Sequence, residues 1–133
     1  MSITHIGAVP VHVTDLDRAA DYYTRVLGLT LLRDTATGGG PGPRMLWIGF
    51  PEGRAILILL DARAIGAPER VGEFTGIVLD VDDAPRTAEE LTARGAILPR
   101  PLQRHDDGWR AVVADPDGNG FLLYQPHDEA ERH

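Results

Sequence analysis

Two stretches of the chain carry the same alternation of apolar and polar positions. Val13-Thr-Asp-Leu-Asp-Arg-Ala-Ala-Asp-Tyr-Tyr runs to Gly28-Leu29, and about 68 residues later Val81-Asp-Asp-Ala-Pro-Arg-Thr-Ala-Glu-Glu-Leu runs to Gly95-Ala96. Each reads as the end of a strand, an acidic cap, an amphipathic helix and a glycine stop. In the first helix Leu16, Ala20, Tyr23 and Leu27 fall on one face, and in the second Ala84, Ala88 and Leu91 sit at the same offsets. Asp15 or Thr14 suits the first cap, and Asp83 followed by Pro85 the second. Gly28 and Gly95 fit the left-handed position beyond a helix C-terminus.

The pattern then changes to period two. Trp47-Ile-Gly-Phe-Pro51-Glu-Gly53 leads into the apolar run Ala55–Leu60, and Val112-Val-Ala-Asp-Pro116-Asp-Gly118 leads into Phe121–Tyr124. Both read as strand, tight turn, strand, with Pro and Gly supplying the turn geometry. Each half is therefore a strand, a helix and about three strands. One such module leaves an apolar sheet face without cover, and pairing two modules answers that while creating a concave surface. The modules are expected at about 3–60 and 74–126, joined by a linker over 61–73 and followed by a mobile tail at 127–133.

Composition narrows the chemistry. At 133 residues, 43% hydrophobic and 25% charged, the chain has the content of one globular domain. A formal charge of −7 argues against nucleic acid and anionic membranes. No apolar run is long enough to span a membrane, and the N-terminus lacks a secretory pattern, so a cytoplasmic address is expected. There is no Cys, every basic residue is Arg, and Ser2 is the only serine. Thiolate, Schiff-base and Ser–His–Asp chemistries are thereby disfavoured, leaving acid–base, metal-assisted or no catalysis.

The stretch from Ile3 to Leu29, with its acidic turn Asp15-Leu-Asp, its Tyr22-Tyr23 pair and Leu27-Gly28, resembles the opening of vicinal oxygen chelate proteins. Phe74-Thr-Gly-Ile-Val-Leu-Asp-Val-Asp-Asp resembles the start of their second module, and Asp115-Pro-Asp-Gly-Asn-Gly-Phe-Leu-Leu-Tyr their closing hairpin. The resemblance covers about residues 3–126. It implies an α+β fold of two βαβββ modules forming a curved mixed sheet around a cup: the glyoxalase/bleomycin-resistance/dioxygenase fold, often a homodimer. Members of this superfamily include metal-dependent lyases, isomerases and dioxygenases as well as metal-free antibiotic-binding proteins, so the site must decide the function.

The family's metal ligands come from the first and last strands of each module. Their spacing from Asp15, Asp83, Gly53 and Gly118 falls on Ala8, Gly76, Leu57 and Leu122, none of which carries a donor. No metal or other cofactor is therefore expected, although a non-standard divalent site through His5, His12 or His105 stays open. His5 has the wrong strand parity unless Pro10 marks a bulge that re-aims it.

Strand alternation places His12, Met45, Trp47, Asp80, Arg110, Val112 and Tyr124 towards the cup. Each has a plainer alternative. His12 can bond backbone at a strand end, Asp80 can be solvated, Arg110 can pair with Asp106 or Asp107, and Trp47 can belong to the core. Trp109 has the opposite parity and suits the outer face or a loop edge. Gly38-Gly-Gly-Pro-Gly-Pro43 lacks the context of a phosphate loop and reads as a flexible loop over the cup mouth. The expectation is a small organic molecule, aromatic or amphipathic, bound in an apolar cup for sequestration or resistance. The alternative is a lyase, isomerase or dioxygenase of the same superfamily, using acid–base chemistry with His12 as the candidate catalytic group or a non-standard metal.

Overall fold

The computed structural model describes residues 2–35 and 43–127. The chain divides after Gly72 into two units built on one plan. The first holds β1 (Val9–Val13), α1 (Leu16–Asp21), β2 (Thr30–Asp34), β3 (Met45–Gly49) and β4 (Ala55–Asp61). The second holds β5 (Phe74–Asp80), α2 (Ala84–Ala93), β6 (Ile97–His105), β7 (Gly108–Ala114) and β8 (Gly120–Pro126). The strand orders are β1-β4-β3-β2 and β5-β8-β7-β6, so the first strand of each unit lies parallel to its last and the other pairs are antiparallel. A short 3-10 turn, Pro68–Arg70, lies between β4 and β5. Most of the glycine-rich loop and residues 128–133 of the expected tail fall outside the described residues.

The helix starts follow local chemistry. Asp15 caps α1 by accepting from the Arg18 N–H at 3.1 Å, and Asp83 caps α2 by accepting from the Arg86 N–H at the same distance. Gly28 and Gly95 take φ of 79° and 97°, the left-handed values that favour glycine.

The first helix departs from the expected face. After Asp21 it widens into a π-helical turn, Tyr22–Val26, in which the Leu27 N–H donates to the Tyr22 carbonyl at 3.0 Å. The buried stripe already departs from the expected positions at Ala19, ahead of the extra residue of that turn. It runs through Leu16, Ala19, Tyr22, Tyr23 and Val26, while Ala20 and Leu27 are only half-buried. A steady 3.6-residue period cannot anticipate that insertion. The Tyr22 and Tyr23 rings thereby both reach the core in an edge-on pair, 6.2 Å between centroids. In α2 the expected face holds, with Ala84 and Leu91 buried and Ala88 half-buried.

Cross-strand rows define each sheet's two faces. On the buried face of the first sheet Val11, Leu59 and Leu46 line up across three strands, with Leu57 beside Ile48. In the second sheet Leu79, Leu123 and Ala111 form one such row, and Phe121 and Val113 another. Arg44 ties the first unit together. Its guanidinium forks onto Asp34 at 3.0 and 2.7 Å and reaches Asp17 of α1 at 2.9 Å, linking helix to sheet edge.

Two expectations about the strands need correction. β1 pairs with β4 in unbroken register from Val9 to Val13, so Pro10 marks no bulge; β1 is an edge strand, where proline is tolerated. Ala8 and the exposed His5 precede that strand, so strand parity does not orient them. Leu57 is the second correction. The β3–β4 register slips between Ile48↔Leu57 and Gly49↔Ala55, which inserts Ile56 as an extra residue. Leu57 therefore turns into the core, 1% exposed, and Ile58 takes the place that Leu122 holds in the second sheet.

The β7–β8 hairpin rests on a buried carboxylate. Asp115, 2% exposed, accepts from the N–H groups of Asp117 and Asn119, each at 2.9 Å, and from the Asn119 side-chain amide at 2.8 Å. The turn closes at Gly118, with φ 87°. Asp115→Ala would leave these donors without their acceptor. It is expected to lower unfolding free energy by about 2–3 kcal/mol, measured by urea denaturation; a loss below about 0.5 kcal/mol would contradict this role.

Candidate functional site

The second sheet carries three cross-strand rows on the face opposite its buried one. Phe74, Gly120 and Ala114 form the first, Val78, Leu122, Val112 and Arg100 the second, and Asp80, Tyr124, Arg110 and Gln103 the third. Three residues expected at the site from sequence, Asp80, Arg110 and Tyr124, thus stand side by side, with Val112 one row away. The first sheet repeats the pattern in its own unit: His12, Leu60 and Met45 share a row, and Pro10, Ile58 and Trp47 the next.

A groove of about 540 Å³ lies along the second sheet's rows. Val112, Leu122 and Ala114 give it an apolar floor, and Pro99 and Pro101 a wall on β6. Gly120 is part of its construction: a Cβ there would stand 3.2 Å from the Phe74 ring and 3.4 Å from a Val112 methyl. The missing side chain lets Phe74, 59% exposed, lie over the floor. Arg100, Gln103, His105 and Arg110 supply the polar points. An apolar body with few polar groups is the usual balance of a small-molecule site.

Arg110 is already engaged. Its guanidinium donates to Asp107 at 2.6 Å and sits 5.8 Å from the centre of the Tyr124 ring. The Tyr124 hydroxyl in turn donates to the Asp107 carbonyl at 3.3 Å. The Arg110 hydrogen bond, reinforced by its charge, holds the Asp107 carboxyl below the usual aspartate range, against a smaller desolvation effect. Asp80 and His12 also have interactions, so neither is an idle group. The Trp47 indole N–H, by contrast, is buried with no acceptor among the described residues.

Phe74, Arg100 and Gln103 were not expected at the site. β6 has two register irregularities, flanking Arg100, so counting alternate residues along it cannot say which face Arg100 takes. The only local signal is Pro99-Arg-Pro101, an arginine between two residues of fixed φ on an edge strand. Phe74 did carry a signal: it shares the parity of Gly76, Val78 and Asp80, and the two-residue slip of β5 between Phe74 and Val78 leaves that parity intact. Trp109 lies away from the groove rows, under the Arg104 guanidinium (5.9 Å) and edge-on to His127 (6.4 Å). His127, expected in the mobile tail, is held by its N–H to the Asp107 carbonyl at 3.2 Å and by its ring at 2.7 Å from the His105 carbonyl.

Comparison with known proteins places this geometry. The family described as Glyoxalase/Bleomycin resistance protein/Dioxygenase superfamily matches residues 2–123. The chain is 30% identical over 124 residues to lactoylglutathione lyase of Escherichia coli O157:H7, covering 89% of this chain and 90% of that protein. Among solved structures it is similar to TnmS3, an antibiotic binding protein from Streptomyces sp. CB03234, with 30% identity, a TM-score of 0.77 and coverage of 95% and 98%. A superfamily member from Sphaerobacter thermophilus DSM 20745 shares the fold at 24% identity, with a TM-score of 0.76 and coverage of 92% and 97%.

Since lyases occur among such relatives, the fit of a divalent ion matters. Among the described residues no cluster of three or more His, Cys, Asp or Glu is placed to hold one. Among the described residues the groove's lining offers one imidazole and no carboxylate, and Ile58, at the position matching Leu122, has no donor either. These residues do not fit a divalent ion.

The Asp107–Arg110 pair gives a direct test. Because the folded-state pKa of Asp107 is depressed, the pair is complete above the ordinary aspartate range and is lost as pH falls through the lowered value. A carbon-detected NMR titration should place Asp107 below an ordinary aspartate, and Arg110→Gln should return it upward. An unchanged midpoint in that variant would remove Arg110 as the cause.

Proposed function

We propose that this chain, which belongs to the glyoxalase/bleomycin resistance protein/dioxygenase superfamily, binds a small organic molecule in the groove of its second sheet without a metal ion. The observation that carries the reading is the groove itself. It has an apolar floor of Val112 and Leu122, an aromatic flank at Phe74 and polar groups confined to β6 and β7. Apolar burial contributes about 25 cal/mol per Å², so floor and flank supply the affinity while the polar groups fix orientation. The likeness to an antibiotic binding protein at 30% identity over nearly the whole chain supports sequestration as the purpose. Within this reading Asp80 and Tyr124 extend the binding surface along their shared row, Arg110 acts as part of its pair with Asp107, and His12, Met45 and Trp47 stand on the matching rows of the first sheet, within their own unit. A homodimer in the cytoplasm, with no nucleic-acid or membrane partner, completes the reading. The charge of −7 supports the lack of a nucleic-acid partner, and among the described residues no helix is long and apolar enough to cross a membrane.

A second reading, an enzyme of the same superfamily, is favoured by the 30% identity to a lactoylglutathione lyase. Its chemistry would rest on His12 or His105 as proton carriers.

The two readings separate in one experiment. Thermal shifts are measured against a panel of aromatic metabolites and antibiotics, with and without EDTA, alongside a lactoylglutathione lyase assay with added divalent ions. Binding should raise stability by about 2.7 kcal/mol at a ligand concentration 100 times Kd, unaffected by EDTA, and Val112→Trp should abolish it by filling the groove. Chelator-sensitive stabilisation, or turnover that depends on a divalent ion, would overturn the metal-free reading.

A further inference from the structure

We infer that the groove of the second sheet selects a flat, largely apolar monoanion, an aryl carboxylate in class, with Arg100 and not Arg110 supplying the positive pole. The inference rests on the binding reading above and specifies its ligand.

Charge distribution is the first argument. The chain carries 20 acidic residues against 13 basic ones, yet no described residue lining the groove is acidic, while two are arginines and one a histidine. A cation-lined concavity on an acidic protein attracts anions locally despite the overall charge. A cationic ligand would find no counter-charge in that lining.

Pairing is the second. The carboxylate of Asp107 occupies Arg110 at 2.6 Å, so that pair presents little net charge to the groove. Arg100 has no carboxylate partner among the described residues and adjoins Val112 at the floor. The two cations of the groove thus differ in what they can offer: one is neutralised in place, the other is available for a planar, two-point contact with a carboxylate.

Preorganisation is the third. Pro99 and Pro101 hold the backbone on both sides of Arg100 at a fixed φ, which reduces the freedom lost when the arginine engages a ligand. Gln103, further along β6, adds a neutral amide donor in the row of Arg110. Phe74 and the Val112–Leu122 floor leave room for a ring between them and the β6 wall. The match is one ring system and one negative charge.

The probes are 2-naphthoate and its neutral analogue 2-naphthamide, titrated calorimetrically into the full chain. Wild-type protein should bind naphthoate about tenfold more tightly, about 1.4 kcal/mol, with a preference that shrinks as salt is added. Arg100→Gln should bring naphthoate down to the level of naphthamide measured in the same variant. Arg100→Lys should retain part of the preference, which a merely structural role for Arg100 would not produce. The double variant Asp107→Asn/Arg110→Gln, which removes the pair without altering net charge, should keep the ratio of the two affinities within about twofold of wild type, well short of the roughly tenfold that losing the Arg100 contact would remove.

Circular dichroism confirms that each variant is folded. A preference that survives Arg100→Gln, or vanishes in the double variant, overturns the assignment to Arg100. Equal binding of both probes by wild type, with both blocked by Val112→Trp, overturns anion selection while the groove stands as a binding site. Binding of neither probe, or binding that Val112→Trp leaves untouched, overturns both the inference and the reading beneath it.

Discussion

Each four-stranded sheet here has two faces and one helix, and side chains alternate between the faces with a period of two. One face must be apolar to pack beneath the helix, as Val11, Leu59 and Leu46 do in the first unit and Leu79, Leu123 and Ala111 in the second. The alternate positions are released from that demand. They form the rows on which the second sheet builds its groove, so the packing of the core dictates which residues are available for a ligand. Where alternation is interrupted by a single residue, as at Ile56 or around Arg100, the assignment of residues to faces changes.

Register slips shape the site. The slip in β5 lets Phe74 pair with Gly120, and the absent Cβ of Gly120 admits the ring over the floor. The irregular edge strand β6 brings Arg100 opposite Val112 and Gln103 opposite Arg110. Bulges commonly re-aim side chains at binding sites. Electrostatics then separates two arginines of like chemistry. Arg110 is held by Asp107 and Tyr124, which makes it part of the scaffold, while Arg100 keeps its charge for an incoming group.

The relatives of this chain include a lactoylglutathione lyase and an antibiotic binding protein, so the framework alone selects neither. The donor set among the described residues bears on the choice. Leu122 and Ile58 occupy matching places in the two sheets, and both are aliphatic. An aliphatic residue there extends the apolar floor, which favours burial of a ring over coordination of an ion.

Much of the architecture was legible in the residues alone. The repeat of acidic cap, helix, glycine stop and Pro-x-Gly hairpin predicted two equivalent modules, because each of these signals is local and depends on only a few neighbouring dihedral angles. Alternation also brought Asp80, Arg110 and Tyr124 to one face, since β7 and β8 pair without a break from Gly108 to Ala114. Tertiary structure decided the rest. The buried stripe of the first helix runs through Ala19 and Val26, the π-helical turn sets Tyr22 beside Tyr23, the extra residue at Ile56 sent Leu57 into the core, and the slips in β6 turned Arg100 to the groove. A one-residue insertion leaves composition and local propensity almost unchanged yet reverses the direction of every side chain beyond it. That is settled only when a neighbouring strand fixes the register.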